Sequence, residues 1–188
     1  MKTKLQNLKG VIFDFDGTLV SIHIDFKGMK DKLLERAAYF GFKMPDKNIP
    51  MLEILEYISR NNKENKNTQN FISEIKRMLI EEEVKSAEKA VPLQGSIQLM
   101  KDLREEGIKI GIFTRNCGQA VRGAMERCNI FCDALLTRDD VSKVKPAREH
   151  LEETANLLGL ERDEFVVVGD HPMDIKCAKN LSALSCGI

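Results

Sequence analysis

The sequence lacks an excess of charge, a long apolar run and an N-terminal leader pattern. Lysine plus arginine equals aspartate plus glutamate, at 29 residues each, so the formal net charge is zero. A chain without excess positive charge gives no electrostatic reason to expect nucleic acid as its main partner. No apolar run reaches the roughly 18 residues that span a bilayer, and residues 1–10 carry no apolar core of signal-peptide length. We therefore predict a cytoplasmic protein that binds neither nucleic acid nor membranes.

Cysteine is also scarce and forms no C-x-x-C pair. An odd number of cysteines without that spacing argues against a disulfide framework and a zinc site, so we expect reduced, packed thiols. The five are Cys117, Cys128, Cys132, Cys177 and Cys186. What is present, 43% hydrophobic and 31% charged residues in a chain of 188, is typical of a globular domain with a smaller appendage.

Strand-like and helix-like patterns alternate along most of the chain. Short apolar runs predict strands, which lie at 11–15, 108–114, 133–137, 164–170 and 182–188. Helical periodicity predicts helices between them, at 95–107, 117–129, 147–159 and 173–180. This alternation predicts an α/β fold, a doubly wound and mostly parallel Rossmann-like sheet with helices on both faces.

The segment between the first two strands is too long for a simple crossover. It carries helical patterns at 26–40, 51–58 and 71–90, with a polar Asn- and Lys-rich connection at 60–70. Since a crossover needs only about a dozen residues, the surplus predicts a small all-helical body. The predicted division is an α/β core of residues 1–20 and 91–188 and a helical cap of residues 21–90.

Polar residues stand where the predicted strands end. The stretch VIFDFDGTLV (11–20) closes its strand with two acids, which are costly to bury without compensation. The residues at or just beyond the four strand ends are Asp14 and Asp16, then Thr114 and Asn116, then Lys145, then Asp170 and Asp174. Parallel strands bring them all to one edge, where open α/β sheets bind ligands.

This set of residue types favours phosphoryl transfer. Carboxylates about 4 Å apart repel each other by roughly 1 kcal/mol in water and about 4 at an effective dielectric of 20, so they require a cation. All-oxygen ligands suit Mg²⁺. Thr114, Lys145 and the turn that ends at Thr18 supply donors for phosphate oxygens. Asp14 can then act as a nucleophile that forms an aspartyl phosphate, and Asp16 can act as the general acid and base.

Four motifs together resemble the haloacid dehalogenase superfamily of hydrolases. They are DFDGT, FTRN, KP and GDxxxD, in that order across residues 11–188. The resemblance is to phosphoglycolate phosphatase-like and β-phosphoglucomutase-like members, which carry a cap between the first two motifs. It implies a Mg²⁺-dependent phosphatase that acts on a small phosphorylated metabolite.

The resemblance also implies a role for each matched residue. The catalytic residues are Asp14 as nucleophile, Asp16 as general acid and base, and Lys145 as the stabiliser of charge. The phosphate-binding residues are Thr114 and Lys145, with Thr18 and Asn116 beside them. The metal ligands are Asp14, Asp16 through its backbone carbonyl, Asp170 and Asp174.

Other functions and other roles for these residues stay open. A dehalogenase is disfavoured because those relatives lack the second acid, here Asp16, whereas a phosphomutase or a non-catalytic regulatory relative fits the same motifs. Asp14 and Asp16 could organise a turn, Asp174 could serve a helix N-terminus, and Asn116 could cap a helix. The chain is expected to be a monomer or a homodimer.

The last strand raises a further expectation. Relatives usually continue beyond it with a loop and a closing helix, whereas this sequence ends at Ile188. We therefore expect the sheet edge formed by residues 182–188 to be poorly covered.

Overall fold

The computed structural model describes residues 7–43 and 49–188. Part of the N-terminal segment considered above, residues 1–6, therefore lies outside the described residues. The helices are α1 (Phe26–Tyr39), α2 (Met51–Asn61), α3 (Thr68–Ala87), α4 (Ser96–Glu105), α5 (Gly118–Cys128), α6 (Arg148–Leu158) and α7 (Pro172–Leu181). The strands are β1 (Gly10–Phe13), β2 (Val20–Ser21), β3 (Val91–Pro92), β4 (Lys109–Phe113), β5 (Ala134–Leu136), β6 (Phe165–Gly169) and β7 (Leu184–Gly187).

Five strands form one parallel sheet in the order β5-β4-β1-β6-β7. Strand β1 is central and buried along its whole length, which explains its continuous apolar sequence. Helices α6 and α7 pack on each other and on the sheet. Because parallel crossovers are right-handed, α4 and α5 cover the opposite face. The predicted α/β, doubly wound class is confirmed.

The strand order reverses beside β1. The chain leaves β1 toward β4 and β5 on one side, then crosses back to β6 and β7 on the other. The loops that follow β1 and β6 therefore diverge and leave a crevice between these two neighbouring strands. Crevices of this kind are where open α/β sheets bind their ligands.

Residues 24–83 form a compact unit with its own core, and residues 1–23 and 84–188 form the other unit. The core of the helical unit comes from α1, α2, α3 and the residues beside them, and aromatic rings meet within it. The centroids of Phe42 and Phe71, for example, lie 5.1 Å apart. The predicted connection at 60–70 is partly helical, because α3 already begins at Thr68, whose hydroxyl donates to the Asn62 carbonyl at 2.7 Å.

A two-stranded antiparallel ribbon joins the two ends of the segment that interrupts the sheet. Val20 pairs with Pro92, and Ser21 pairs with Val91. No sequence pattern predicts this ribbon, because strands of two residues are too short to show periodicity.

Strand β7 is half-buried at Leu184 and exposed over its other residues. The five cysteines are free thiols, of which Cys117, Cys128 and Cys177 are buried and Cys186 is exposed. None of the helices formed by the described residues combines the length and apolarity that crossing a bilayer requires.

Candidate active site

Backbone pairing brings the first acid to the crevice between β1 and β6. Phe13 is in register with Val168, and the N–H of Asp14 donates to the Val168 carbonyl at 2.8 Å. Asp170 follows the end of β6. Asp14 and Asp170 thus stand on the two sides of the point where the strand order reverses.

A tight turn follows Asp14 beside the crevice between β1 and β6. Gly17 has a φ of +84°, and a Cβ there would lie 2.3 Å from a carboxylate oxygen of Asp170. Only glycine permits both the conformation and the close approach. The Thr18 hydroxyl donates to Asp170 at 3.2 Å, and the carboxylate of Asp16 accepts the N–H of Ile22 at 2.8 Å.

Lys145 lies in the middle of the acids and is 2% exposed. Its ammonium donates to Asp14 at 2.5 Å and to Asp174 at 2.7 Å, and it lies 4.2 Å from the centroid of the Phe113 ring. A lysine is rarely buried unless it is paired. Lys145 is therefore a paired, buried lysine and not one of the solvated lysines of the surface.

The acids differ in what they already bind. Asp174 is fully buried, and its second oxygen accepts the N–H of His171 at 3.1 Å, at the start of α7. Asp170 is exposed. Oxygen atoms of Asp14, Asp170 and Asp174 all lie within 4.8 Å of one another, a spacing that can hold a metal ion. The carboxylate of Asp16 does not belong to this group.

Burial shifts the pKa of both acids of the first motif. Burial raises the pKa of Asp14, which the charge of Lys145 opposes and that of Asp174 reinforces. Burial also raises the pKa of Asp16, to about 6, against the hydrogen bond from the Ile22 N–H. Neither carboxylate is in an ordinary surface environment.

Thr114 and Asn116 are buried in the loop after β4. The hydroxyl of Thr114 accepts the N–H of Asn116 at 3.2 Å. The side-chain nitrogen of Asn116 is buried and has no hydrogen-bond partner among the described residues. Asn116 does not cap α5, since the carboxylate of Asp139 accepts the Gly118 N–H there, at 2.8 Å.

Two residues that the sequence analysis did not assign to the site hold the backbone of Lys145. The guanidinium of Arg115 donates to the Lys145 carbonyl at 2.6 Å. The imidazole of His150 accepts the Lys145 N–H at 3.3 Å, and its other nitrogen lies 3.2 Å from the carbonyl of Leu136. His150 carries no motif signal in the sequence, whereas Arg115 stands in the motif FTRN, directly after Thr114.

The burial of His150 makes the protein sensitive to acid. Burial, with the charges of Lys145 and Arg115, lowers the pKa of His150 to about 4, against a contact with the Leu136 carbonyl and the charge of Asp140. As the pH falls, His150 is therefore protonated at a higher pH in the unfolded chain than in the folded chain. The stability that the neutral ring contributes is complete above about pH 6.5 and is lost as the pH falls toward 4, by roughly 3 kcal/mol.

We expect His150→Asn to remove most of this slope in urea-unfolding free energies measured between pH 4 and 7. The matched control is Thr154→Val, one turn along the same helix, where the hydroxyl bonds the His150 carbonyl at 2.8 Å. Thr154→Val should keep the wild-type slope. Equal slopes in His150→Asn and the wild type would contradict the assignment.

Paired acids at a switch point, a buried lysine between them and a helical insert after the first strand define a class of α/β hydrolases. The model of the haloacid dehalogenase-like hydrolase family matches residues 11–188. The chain belongs to this family, and the predicted resemblance, including an enzyme of hydrolase type, is confirmed.

Curated relatives agree with the family match. A candidate PpaX pyrophosphatase of Clostridium perfringens is 31% identical over 96% of this chain and 84% of that protein. A PpaX pyrophosphatase of Halalkalibacterium halodurans is 34% identical over 91 residues, which cover 47% of this chain and 42% of that protein. Several matches of this kind thus span less than half of the relative's length.

Solved structures show the same fold. A hydrolase from Pseudomonas syringae superposes with a TM-score of 0.69 at 22% identity, over 95% of this chain and 83% of that one. CbbY from Rhodobacter sphaeroides, solved in complex with phosphate, gives a TM-score of 0.66 at 19% identity, over 95% and 84%.

Proposed function

We propose that this chain is a Mg²⁺-dependent phosphatase that hydrolyses a small phosphate monoester through an aspartyl phosphate on Asp14. The observation that carries the proposal is the buried ammonium of Lys145 between Asp14 and Asp174, with Asp170 beside them. Three carboxylates and one ammonium leave excess negative charge, which a divalent ion would balance before an anionic substrate could bind.

The metal fits the donors that are present. Asp14 and Asp170 offer carboxylate oxygens, and Asp174 adds charge although both its oxygens already accept hydrogen bonds. Mg²⁺ commonly takes one or two carboxylates, waters and a substrate phosphate. When bound, it would supply charge neutralisation for the phosphoryl group.

The residues of the first motif carry the covalent steps. A carboxylate oxygen of Asp14 attacks phosphorus, the bond to the ester oxygen breaks, and Asp16 gives its proton to the departing alkoxide. Asp16 then takes a proton from water, whose oxygen attacks phosphorus and releases inorganic phosphate and the Asp14 carboxylate. This exchange of acid and base roles requires the proton carrier to be distinct from the nucleophile.

Donors around this position would hold the phosphate oxygens. Thr114 and Asn116 lie together in the loop after β4, and the Asn116 side-chain nitrogen has a donor to offer. Thr18 and Lys145 complete the proposed phosphate-binding set. Preorganised donors of this kind account for much of the catalysis of phosphoryl transfer.

Hydrolysis of p-nitrophenyl phosphate by the purified chain tests the proposal. We expect turnover with Mg²⁺, its loss in excess EDTA and its return when Mg²⁺ is restored. Ca²⁺ is the matched control ion, and it should support much less turnover because it prefers a larger and less regular oxygen shell. Full turnover in EDTA would contradict a metal-dependent site.

Pyrophosphate is a second candidate substrate, because relatives of this chain bear the name pyrophosphatase. Release of inorganic phosphate from pyrophosphate should be compared with release from sugar phosphates and phosphoglycolate under the same conditions. Transfer of the phosphoryl group to a second hydroxyl, rather than to water, would instead indicate a phosphomutase.

Residues 21–90 are proposed to form the cap that selects the substrate, on the strength of their place directly after the first motif. A small phosphorylated metabolite is the proposed substrate class, and a monomer or homodimer the proposed assembly.

A further inference from the structure

We propose that Arg115 and His150 are positioning residues that clamp the backbone of Lys145 from both sides and so fix its ammonium between Asp14 and Asp174. The inference rests on the proposed function for its catalytic consequence. It rests on geometry alone for the clamp itself.

Both polar groups of the Lys145 backbone are taken by side chains rather than by a sheet or a helix. Its N–H is accepted by His150, at 3.3 Å, and its carbonyl accepts from Arg115, at 2.6 Å. Lys145 lies between β5 and α6, outside regular structure, so no backbone ladder holds it in register. A buried peptide unit in such a loop needs partners of another kind.

His150 is anchored on the sheet side of this loop. It is fully buried on α6, its ring lies 5.5 Å from that of Phe113, and its second nitrogen lies 3.2 Å from the Leu136 carbonyl at the end of β5. If that nitrogen donates, the first must be the acceptor that Lys145 requires. One tautomer therefore satisfies both contacts.

Arg115 connects the loops after β4 and β5 with the first turn of α7 at the edge of the sheet. It follows β4, donates to Lys145 in the loop after β5, and its guanidinium lies 3.1 Å from the sulfur of Met173 after β6. The guanidinium of Arg138 in turn donates to the carbonyl of Arg115, at 3.1 Å. Arg115 is therefore held at its backbone while its side chain holds Lys145.

The clamp matters because the lysine side chain is flexible. An ammonium on a flexible four-carbon side chain can occupy many positions, and movement of the Lys145 Cα increases their number. Small misplacements of a catalytic group are expensive, and loss of residues that orient a site commonly costs about 10- to 100-fold in activity.

The test uses Arg115→Ala, His150→Asn and His150→Gln, with Arg148→Ala as the matched control for a lost surface charge. Asn places its amide oxygen near the position of the imidazole nitrogen that accepts from Lys145, whereas Gln reaches toward the Leu136 side. We expect Arg115→Ala and His150→Gln to lower kcat by about 10- to 100-fold with little change in KM. His150→Asn should recover much of this loss, and Arg148→Ala should match the wild type.

Chemical rescue separates positioning from structure. Millimolar guanidinium chloride, against sodium chloride at equal ionic strength, should restore part of the kcat of Arg115→Ala and leave the wild type unchanged. Variants that melt lower but keep the wild-type kcat, or an equal loss in Asn and Gln, would overturn the proposal.

A second readout does not depend on turnover. The ammonium resonance of Lys145 in a ¹H–¹⁵N spectrum, assigned by its absence in Lys145→Met, should be sharp in the wild type and shifted or lost in Arg115→Ala. An unchanged resonance would overturn the clamp. If Arg115→Ala shifts the resonance but the wild type shows no phosphatase activity, the clamp is supported and the proposed function is contradicted.

Discussion

Asp14→Asn should reduce hydrolysis of p-nitrophenyl phosphate by roughly 10⁴-fold or more while the protein stays folded. An amide oxygen cannot serve as the nucleophile that forms an acyl phosphate, and losing a nucleophile removes the whole covalent route. Asp14 directly follows the central strand β1 and lies 2.5 Å from the ammonium of Lys145.

The fold should tolerate this change. Asparagine keeps the volume of aspartate, and Lys145 retains its contact with Asp174 at 2.7 Å. We expect the free energy of unfolding in the absence of Mg²⁺ to change by only about 1–2 kcal/mol.

Acid-quenched samples provide the direct measurement. The wild type incubated with substrate and Mg²⁺ should carry one phosphoryl group detectable by mass, and Asp14→Asn should carry none. Asp102→Asn, an exposed acid on α4, is the matched control and should behave as the wild type does. Turnover in Asp14→Asn within tenfold of the wild type would remove Asp14 from the role of nucleophile.

The second large effect is expected from Lys145→Met, on stability and activity together. Methionine approximates the length of lysine but leaves the buried carboxylates of Asp14 and Asp174 without a counter-charge. Breaking a buried ion pair by removing one partner typically costs about 3–5 kcal/mol. For a chain of this size that corresponds to a fall in Tm of roughly 10 °C.

Mg²⁺ should partly reverse the loss of stability. Without the ammonium, the acids lose the cation that lies between them, so the rise in Tm on adding Mg²⁺ should be larger in Lys145→Met than in the wild type. Activity should stay low even with Mg²⁺, since the proposed phosphate donor is gone. Thermal unfolding with and without Mg²⁺ measures both the fall in Tm and its rise on adding the ion.

Lys101→Met, at an exposed position of α4, is the matched control and should change neither Tm nor its response to Mg²⁺. A Tm of Lys145→Met equal to that of the wild type without Mg²⁺ would mean that the acids do not depend on this ammonium.

The sequence was sufficient for the sheet, because its signals are local. Four of the five strands of the sheet lie within a predicted apolar run, and β1 begins one residue before its run, at Gly10. The helices between the strands follow from periodicity and from glycines at their ends. The acids of DFDGT and GDxxxD were recognisable because a buried strand that ends in carboxylates contradicts the ordinary cost of burial. No such signal predicts the ribbon formed by Val20–Ser21 and Val91–Pro92, because each of its strands is only two residues long.

The sequence by itself therefore determined the fold class, the family and the residue types at the site, since those depend on pattern and spacing. Only the tertiary structure decided that Lys145 is buried between Asp14 and Asp174, that Asp174 is already bonded on both oxygens, and that Arg115 and His150 hold the lysine backbone. These contacts join residues 3 to 131 positions apart in the chain. Their physical origin is the parallel sheet, which brings distant strand ends to one edge, and no local pattern records which side chains then meet.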